Sequence, residues 1–361
     1  MFYKLFRFLA KVFSAVHTQS YTKSCIFALY IETATNNAMK RALICLYIIC
    51  CTLCLHAQDA EATFHFLQLP ASSHAAALGG DNISIVEDDL ELSHNNPALL
   101  TNASGGMLGL NYMNYLQRTN TVGAGYTLEI GDRSMLGLKA LYLDFGTMKN
   151  TDSDGNVIGS FSAKDMALTA TYSFDFSDYL AGGVSGKIIY SNYEQVYSLA
   201  LGVDLGLNYY NPENMFSASL VLRNLGRQVK TFDSVHEPLP FNFLVGFSKE
   251  LEYSPIRISL TLTDLDKWQP EDFYNATEDS WKDLLLKHFI LGADIFPTPS
   301  TYVSVGYNFL LRSELKNNVK RSFEGLSIGA GLQVHNMKIG VSYGKYHVAA
   351  SSLLMNFAIQ L

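Results

Sequence analysis

The chain has 361 residues, of which 48% are hydrophobic and 16% charged, and it contains 43 Tyr and Phe residues but only two Trp. Beyond residue 57 no run of eighteen apolar residues occurs, which excludes a membrane protein built from several apolar helices. The first 57 residues hold six of the 26 basic and one of the 33 acidic residues, so the remainder has a net charge of −12. That balance excludes nucleic acid as a partner, because nucleic-acid binding needs a basic surface.

Residues 39–57 have the organisation of a secretory signal peptide. Met39-Lys40-Arg41 is a short basic start, an apolar run follows, and Ala57 is the small residue before the expected cut. We expect cleavage after Ala57 and interpret residues 1–38 as an upstream extension. All five cysteines lie within residues 1–57, so the remaining chain can form neither a disulfide nor a thiolate metal site.

Residues 58–104 do not have the pattern of strands. Ser72–Gly80 predicts a short helix or turn that ends at glycine, and a helical segment from Leu90 is broken at Pro97. The segment is too apolar for a disordered tail. We therefore predict a plug inside a barrel, with a periplasmic tail as the alternative.

From residue 105 onward, apolar residues alternate with small or polar ones. In the last segment Leu353, Met355 and Phe357 alternate with Asn356 and Ala358. Strands whose apolar side chains face outward and whose small or polar side chains face inward are typical of transmembrane β-barrels. Fourteen segments follow the pattern: 105–116, 119–129, 134–145, 162–176, 179–190, 195–209, 214–225, 239–249, 255–266, 286–296, 300–311, 322–334, 336–344 and 350–361. The predicted fold is all-β: a transmembrane antiparallel β-barrel of about 14 strands over residues 105–361, with a small N-terminal luminal plug segment.

The connections between these segments support the same topology. Those after even-numbered segments are short, whereas those after odd-numbered segments include the long stretches 146–161, 226–238, 267–285 and 312–321. Outer-membrane barrels have short periplasmic turns and long outside loops. We expect an integral protein of the cell outer membrane, in contact with outer-membrane lipid.

The loop 267–285 is the candidate for partner docking. Pro270-Glu271-Asp272 predicts a helix start, and Phe273, Tyr274 and Trp281 then fall near one helical face. Such a face could dock a partner, and it could equally form a lid over the barrel mouth.

No pattern indicates an enzyme, a metal site or a cofactor. Asp152-Ser153-Asp154-Gly155-Asn156 resembles a calcium loop, but its glycine is two positions early and Ala163 stands where a bidentate Glu is needed. An Asp-Gly hairpin turn is the preferred interpretation. Asp88-Asp89 could bind a cation, but charge at a helix N-terminus explains the pair more simply.

The segment 64–100 carries a resemblance, through Phe66-Leu67-Gln68-Leu69-Pro70, Ala75–Ser84 and Asn96-Pro97-Ala98. It resembles the PorQ-like outer-membrane proteins of the type IX secretion system of Bacteroidetes. The Asn96-Pro97-Ala98 element, a plug motif, is also similar to the FadL-like family of fourteen-strand barrels. The segment departs from PorV-like proteins, which carry a tryptophan before this element where His94-Asn95 stands here.

The PorQ-like resemblance implies a non-enzymatic component that anchors a surface attachment complex for exported cargo, with a PorZ-like surface protein as partner. The FadL-like resemblance implies the alternative, a transporter of hydrophobic small molecules across the outer membrane. A transporter should line its pocket with Phe and Leu, whereas the inward positions of the strands are largely Gly, Ser, Asn and Ala. This favours a filled, structural barrel.

Overall fold

The computed structural model describes residues 64–361 apart from 117–118, 155, 195, 234–235, 274–279, 316–323 and 348–349. The predicted signal peptide, the upstream extension and Tyr274 lie outside the described residues. Among the residues that are described, no helix combines the length and the hydropathy needed to cross a membrane.

Fourteen antiparallel strands form a closed barrel in which each strand pairs with its neighbours in sequence and β1 pairs with β14. The strands are β1 (Met107–Leu116), β2 (Thr119–Gly131), β3 (Ser134–Thr151), β4 (Val157–Ser177), β5 (Leu180–Tyr193), β6 (Val196–Asn211), β7 (Phe216–Lys230), β8 (Asn242–Glu250), β9 (Ile256–Leu262), β10 (Phe289–Thr298), β11 (Thr301–Asn308), β12 (Leu326–Val334), β13 (Met337–His347) and β14 (Ala350–Gln360). The predicted fold class and strand count are confirmed. We call the end with the short turns and Leu361 the inner end, and the opposite end the outer end.

Alternation along each strand separates an apolar outward face from an inward face of small and polar residues. In β14, Met355 is 46% exposed on the outward face, whereas Ser352, Leu354 and Ala358 are buried. Side chains alternate because successive Cβ atoms in a strand point to opposite faces of the sheet. The predicted outward series in this strand is therefore correct.

The prediction of a long loop over residues 146–161 is wrong. β3 and β4 continue through it as a paired ribbon, with Met148 opposite Phe161, and the chain turns only between Thr151 and Val157. Asp152 forms the turn, because its carboxylate Oδ1 accepts hydrogen bonds from the backbone N–H groups of Asp154 and Asn156. Cross-strand pairing extends the strands beyond the point where the alternation in sequence weakens.

The prediction of a single helix that begins at Pro270 is also wrong. Pro270–Asp272 forms one 3₁₀ turn, and the chain becomes extended at Phe273. A separate helix, α2, spans Trp281–Lys287. Phe273 and Trp281 therefore do not share one helical face. A further helix, α3 (Phe309–Leu315), lies between β11 and β12 at the outer end.

Residues 64–104 fill the barrel lumen as a plug, which confirms the luminal segment of the predicted fold. The plug contains helix α1 (Ser73–Ala77) and three 3₁₀ helices, His65–Gln68, Leu90–His94 and Pro97–Asn102. Ser72 caps α1 by accepting a hydrogen bond from the Ala75 N–H, and Asp89 caps the second 3₁₀ helix. Asp89 therefore lies at a helix N-terminus, which is the interpretation that the sequence favoured.

Glycines on the inner wall let the plug approach the strands closely. A Cβ at Gly183 would collide with the backbone of Pro97, and one at Gly206 would collide with the side chain of Asn96. A Cβ at Gly306 would meet the backbone of Gly79. Glycine in these strand interiors therefore marks the close approach of another backbone.

Candidate functional site: the plugged lumen

The plug is joined to the barrel wall mainly by charge pairs in which the plug supplies the carboxylate, and the pair of His74 with Asp294 has the opposite polarity. The plug's carboxylates face basic side chains of the strands, in four pairs: Asp81–Arg223 at 2.6 Å, Glu87–Arg257 at 2.6 Å, Asp88–Lys338 at 2.6 Å and Glu91–Lys139 at 2.7 Å. Bidentate or charge-assisted hydrogen bonds of this length are among the strongest in proteins. The acidic plug therefore fits a basic lining of the lumen.

His74 lies at the centre of a cluster of charged side chains between the plug and the wall. Its Nδ1 is 2.8 Å from Glu87 Oε2, and its Nε2 is 2.9 Å from Asp294 Oδ1. Arg257 binds the same two carboxylates, at 2.6 Å and 2.7 Å, and the Tyr302 ring stacks on the imidazole at 3.6 Å. Two cations thus neutralise two carboxylates between α1 and the wall.

Stability is expected to fall as the pH rises through the titration of His74. Burial lowers the pKa of His74, but Glu87 and Asp294 outweigh burial and raise this pKa from 6.5 to about 9. Because the folded pKa lies above the unfolded one, the stabilisation is complete below pH 6.5 and is lost as the pH rises through about 9. Melting temperatures of the detergent-solubilised protein at pH 6 and above pH 9 measure the loss. The same fall in a His74→Gln variant would contradict this assignment.

The plug motif forms the turn into the last 3₁₀ helix. Asn96 accepts a hydrogen bond from the Ala98 N–H at 3.0 Å and donates one to the Ile83 carbonyl at 2.9 Å. Pro97 is the first residue of the helix, where its missing N–H costs nothing. The three residues therefore shape the plug at β5 and β6.

An apolar cluster closes the outer half of the lumen, where Phe64 and Phe66 of the plug meet Tyr115, Phe145 and Tyr346 of the strands. We call it the outer apolar cluster. Its buried members are Phe64, Phe66, Leu67, Leu69, Ala76, Met113, Leu143, Ala167, Ile189, Ala200, Leu239 and Leu354. Phe64 also stacks on Phe232 of the loop between β7 and β8, with ring centroids 6.3 Å apart. The expectation of small inward strand residues does not hold at this end, because the strands contribute Met113, Leu143, Ile189 and Leu354 to the cluster.

A cavity of about 20 Å³ lies below this cluster, between the plug and the wall of β1–β6. Its apolar lining is Leu67, Ala71, Ala140, Leu141 and Ala167, and its polar lining is Ser93, His94, Asn111, Lys139, Thr169, Thr171, Lys187 and Asp204. It has room for about one water molecule. A larger molecule would fit only if the plug moved.

The structure separates the residues predicted for partner docking. Phe273 is buried, with its ring 5.8 Å from the His288 ring and 5.1 Å from Lys287 Nζ. Trp281, in contrast, is 69% exposed. Of these two residues, only Trp281 offers an aromatic surface at the outer end.

Sequence reasoning missed His74, Arg257 and Asp294. Arg257 stands between Ile256 and Ile258 in β9, and Asp294 stands between Ala293 and Ile295 in β10. A charge at an inward position between two outward apolar residues is the signal that could have found both. Within the described part of the chain, no three His, Cys, Asp or Glu side chains form a metal-binding group.

Comparisons with known proteins identify the fold. No family model matches the chain, and no curated protein matches it. The toluene transporter TbuX of Ralstonia pickettii is 11% identical, with 82% of this chain and 100% of that chain covered and a TM-score of 0.53. The toluene transporter TodX of Pseudomonas putida is 12% identical, with 81% and 97% covered and a TM-score of 0.50.

These neighbours are FadL-like outer-membrane barrels of fourteen strands and are transporters, not enzymes. The FadL-like resemblance is thus correct at the level of the fold. The PorQ-like resemblance has no support from the comparisons.

Proposed function

We propose that the chain is an integral outer-membrane protein that carries hydrophobic small molecules across the outer membrane through its lumen. The observation that supports this most directly is the fold, which matches two toluene transporters over nearly their whole length. The outward face of the barrel is apolar along its strands, as a surface in lipid must be.

The outer apolar cluster supports the same function. Hydrophobic molecules partition into an apolar environment, and this cluster lies at the outer end of the lumen. Phe64, Phe66, Leu67 and Leu69 of the plug occupy it. A hydrophobic molecule would replace contacts that the plug now makes, so passage requires the plug to shift.

Uptake of radiolabelled toluene by a Gram-negative host that lacks hydrocarbon transporters tests the proposal. Cells that express the full chain should take up toluene faster than cells with an empty vector, and leakage of a hydrophilic sugar should not change. Equal toluene uptake, with folded barrel present in the outer membrane, would reject transport.

An arginine in the middle of the outward face is expected to destabilise the inserted barrel. Met355→Arg places a charge among lipid-facing residues of β14, at a cost of about 2–4 kcal/mol near the midplane. Leu361→Arg is the control, because Leu361 lies on the same face at the inner end, where the cost is about 0–1 kcal/mol. Urea unfolding in lipid vesicles measures both, and equal losses would contradict the placement of Met355 in lipid near the midplane.

A second candidate function is the non-enzymatic anchor of a surface attachment complex in type IX secretion, with a PorZ-like partner. Its support is Trp281 together with Leu285 and Leu286, which are exposed on α2 at the outer end. Exposed tryptophan is a common anchor in protein interfaces.

The anchor role predicts that Trp281→Ser combined with Leu286→Ser releases the surface partner without unfolding the barrel. Leu251→Ser is the matched control, because Leu251 is also exposed but lies in the turn between β8 and β9 at the inner end. Co-purification of a PorZ-like protein from solubilised outer membrane measures retention. Unchanged retention in the double variant would reject α2 as the docking surface.

A further inference from the structure

Three polar side chains converge on the cavity beside β1–β6, two of them buried and the third, His94, half-buried with a buried Nε2. Ser93 is 2% exposed and Asn111 is 4% exposed, and both line the cavity together with His94. Within the described residues, Ser93 Oγ, Asn111 Oδ1 and His94 Nε2 have no hydrogen-bond partner. Buried polar atoms are nearly always hydrogen-bonded, so three such atoms around one cavity indicate a site for a polar group.

The geometry makes two of these atoms, Asn111 Oδ1 and His94 Nε2, acceptors, whereas the Ser93 hydroxyl can donate or accept. Asn111 Nδ2 donates to Glu91 Oε2 at 3.0 Å, which fixes the amide with Oδ1 free. Burial, Lys139 and Lys187 lower the pKa of His94 well below its usual value, so the ring is neutral. One ring nitrogen donates to the Leu69 carbonyl, and the unpartnered Nε2 is therefore an acceptor.

The cavity also has an apolar lining, which is continuous with the outer apolar cluster. Leu67 and Ala167 belong to both, and Ala71, Ala140 and Leu141 complete this apolar lining. A molecule that descended from the outer end would therefore meet apolar contacts first and the polar atoms last.

We propose, on the premise of the transport function above, that this cavity selects hydrophobic molecules that carry one hydroxyl group. A phenol or a short alcohol can donate its O–H to Asn111 Oδ1 or His94 Nε2 and place its apolar part against Leu67 and Leu141. A hydrocarbon leaves the acceptors unsatisfied. A carboxylate brings only further acceptors, and the two lysines that line the cavity are already paired, Lys139 with Glu91 and Lys187 with Asp204, each at 2.7 Å.

Leu67→Ala is the variant in which binding of an aromatic molecule at this cavity can be measured. The substitution enlarges a cavity that otherwise holds about one water molecule. The full chain is purified in detergent, and its binding of phenol, toluene and benzoate is titrated by calorimetry. We expect phenol to bind about tenfold more tightly than toluene, which is the gain from one hydrogen bond to a buried acceptor, and benzoate to bind most weakly.

Adding Asn111→Leu or Ser93→Ala to Leu67→Ala should reduce the advantage of phenol severalfold and leave toluene binding unchanged. Adding Ser248→Ala is the matched control. Ser248 is also a buried serine of the barrel wall, but its hydroxyl donates to the Ser84 carbonyl at 2.7 Å and it does not line the cavity. The control should keep the full advantage of phenol.

Equal affinity for phenol and toluene would overturn the hydroxyl preference and leave hydrocarbon transport standing. Tighter binding of benzoate, or an unchanged phenol advantage in the Asn111 and Ser93 variants, would also overturn it. If neither aromatic binds Leu67→Ala, the site is not a ligand site. The uptake of toluene by the unaltered chain then decides the transport function separately.

Discussion

A disulfide between positions 73 and 340 is expected to abolish uptake of hydrophobic molecules. A Cβ at Gly340 would lie 3.5 Å from the Cβ of Ser73, within the range that a disulfide spans. Ser73 begins α1 of the plug and Gly340 is on the inward face of β13, so Ser73→Cys with Gly340→Cys ties the plug to the wall. If passage requires the plug to shift, the tied plug keeps the lumen closed.

Toluene uptake before and after addition of a reductant measures this effect. All five natural cysteines lie within residues 1–57, which the sequence predicts to be removed, so the engineered pair would stand alone. Each single cysteine variant is the control and should transport with or without reductant. Wild-type uptake by the oxidised double variant would mean that α1 stays in place during passage.

Arg257→Met is expected to destabilise the folded protein by about 3–5 kcal/mol. The guanidinium lies within 2.7 Å of both Glu87 and Asp294, and Asp294 is completely buried. Removal of the cation leaves two carboxylates with only His74 between them. The penalty arises because water cannot reach the uncompensated charge.

Arg133→Met is the control for this prediction. Arg133 and Asp178 form an ion pair at 3.3 Å between exposed side chains, where loss of the pair costs about 0–1 kcal/mol. Denaturant unfolding in detergent compares the two variants. Similar losses would show that the cluster at His74 is solvated and does not hold the plug.

The sequence alone predicted the strand count, the outward face of β14 and the presence of a plug. Alternation with a period of two is a local property that can be recognised in each strand separately. In a closed barrel each strand pairs with its neighbours in sequence, so counting the strands also gives the topology. Inward glycines such as Gly183 and Gly206 carried a second signal, because a wall without side chains needs something else to fill the lumen. The limits of β3 and β4 and the helix after Pro270 were not predictable, because pairing and packing override local preference at the ends of elements.

The tertiary structure alone decided which polar groups meet. His74 is 220 residues from Asp294 and 183 residues from Arg257 in sequence, and only closure of the barrel around the plug brings them within hydrogen-bond distance. The same closure buries Ser93 and Asn111 at one cavity and stacks Phe64 on Phe232. Periodicity determines which face of a strand a residue occupies, but it carries no information about the chain segment that packs against that face. The barrel could therefore be predicted from the sequence pattern, whereas its candidate site depends on contacts between distant segments.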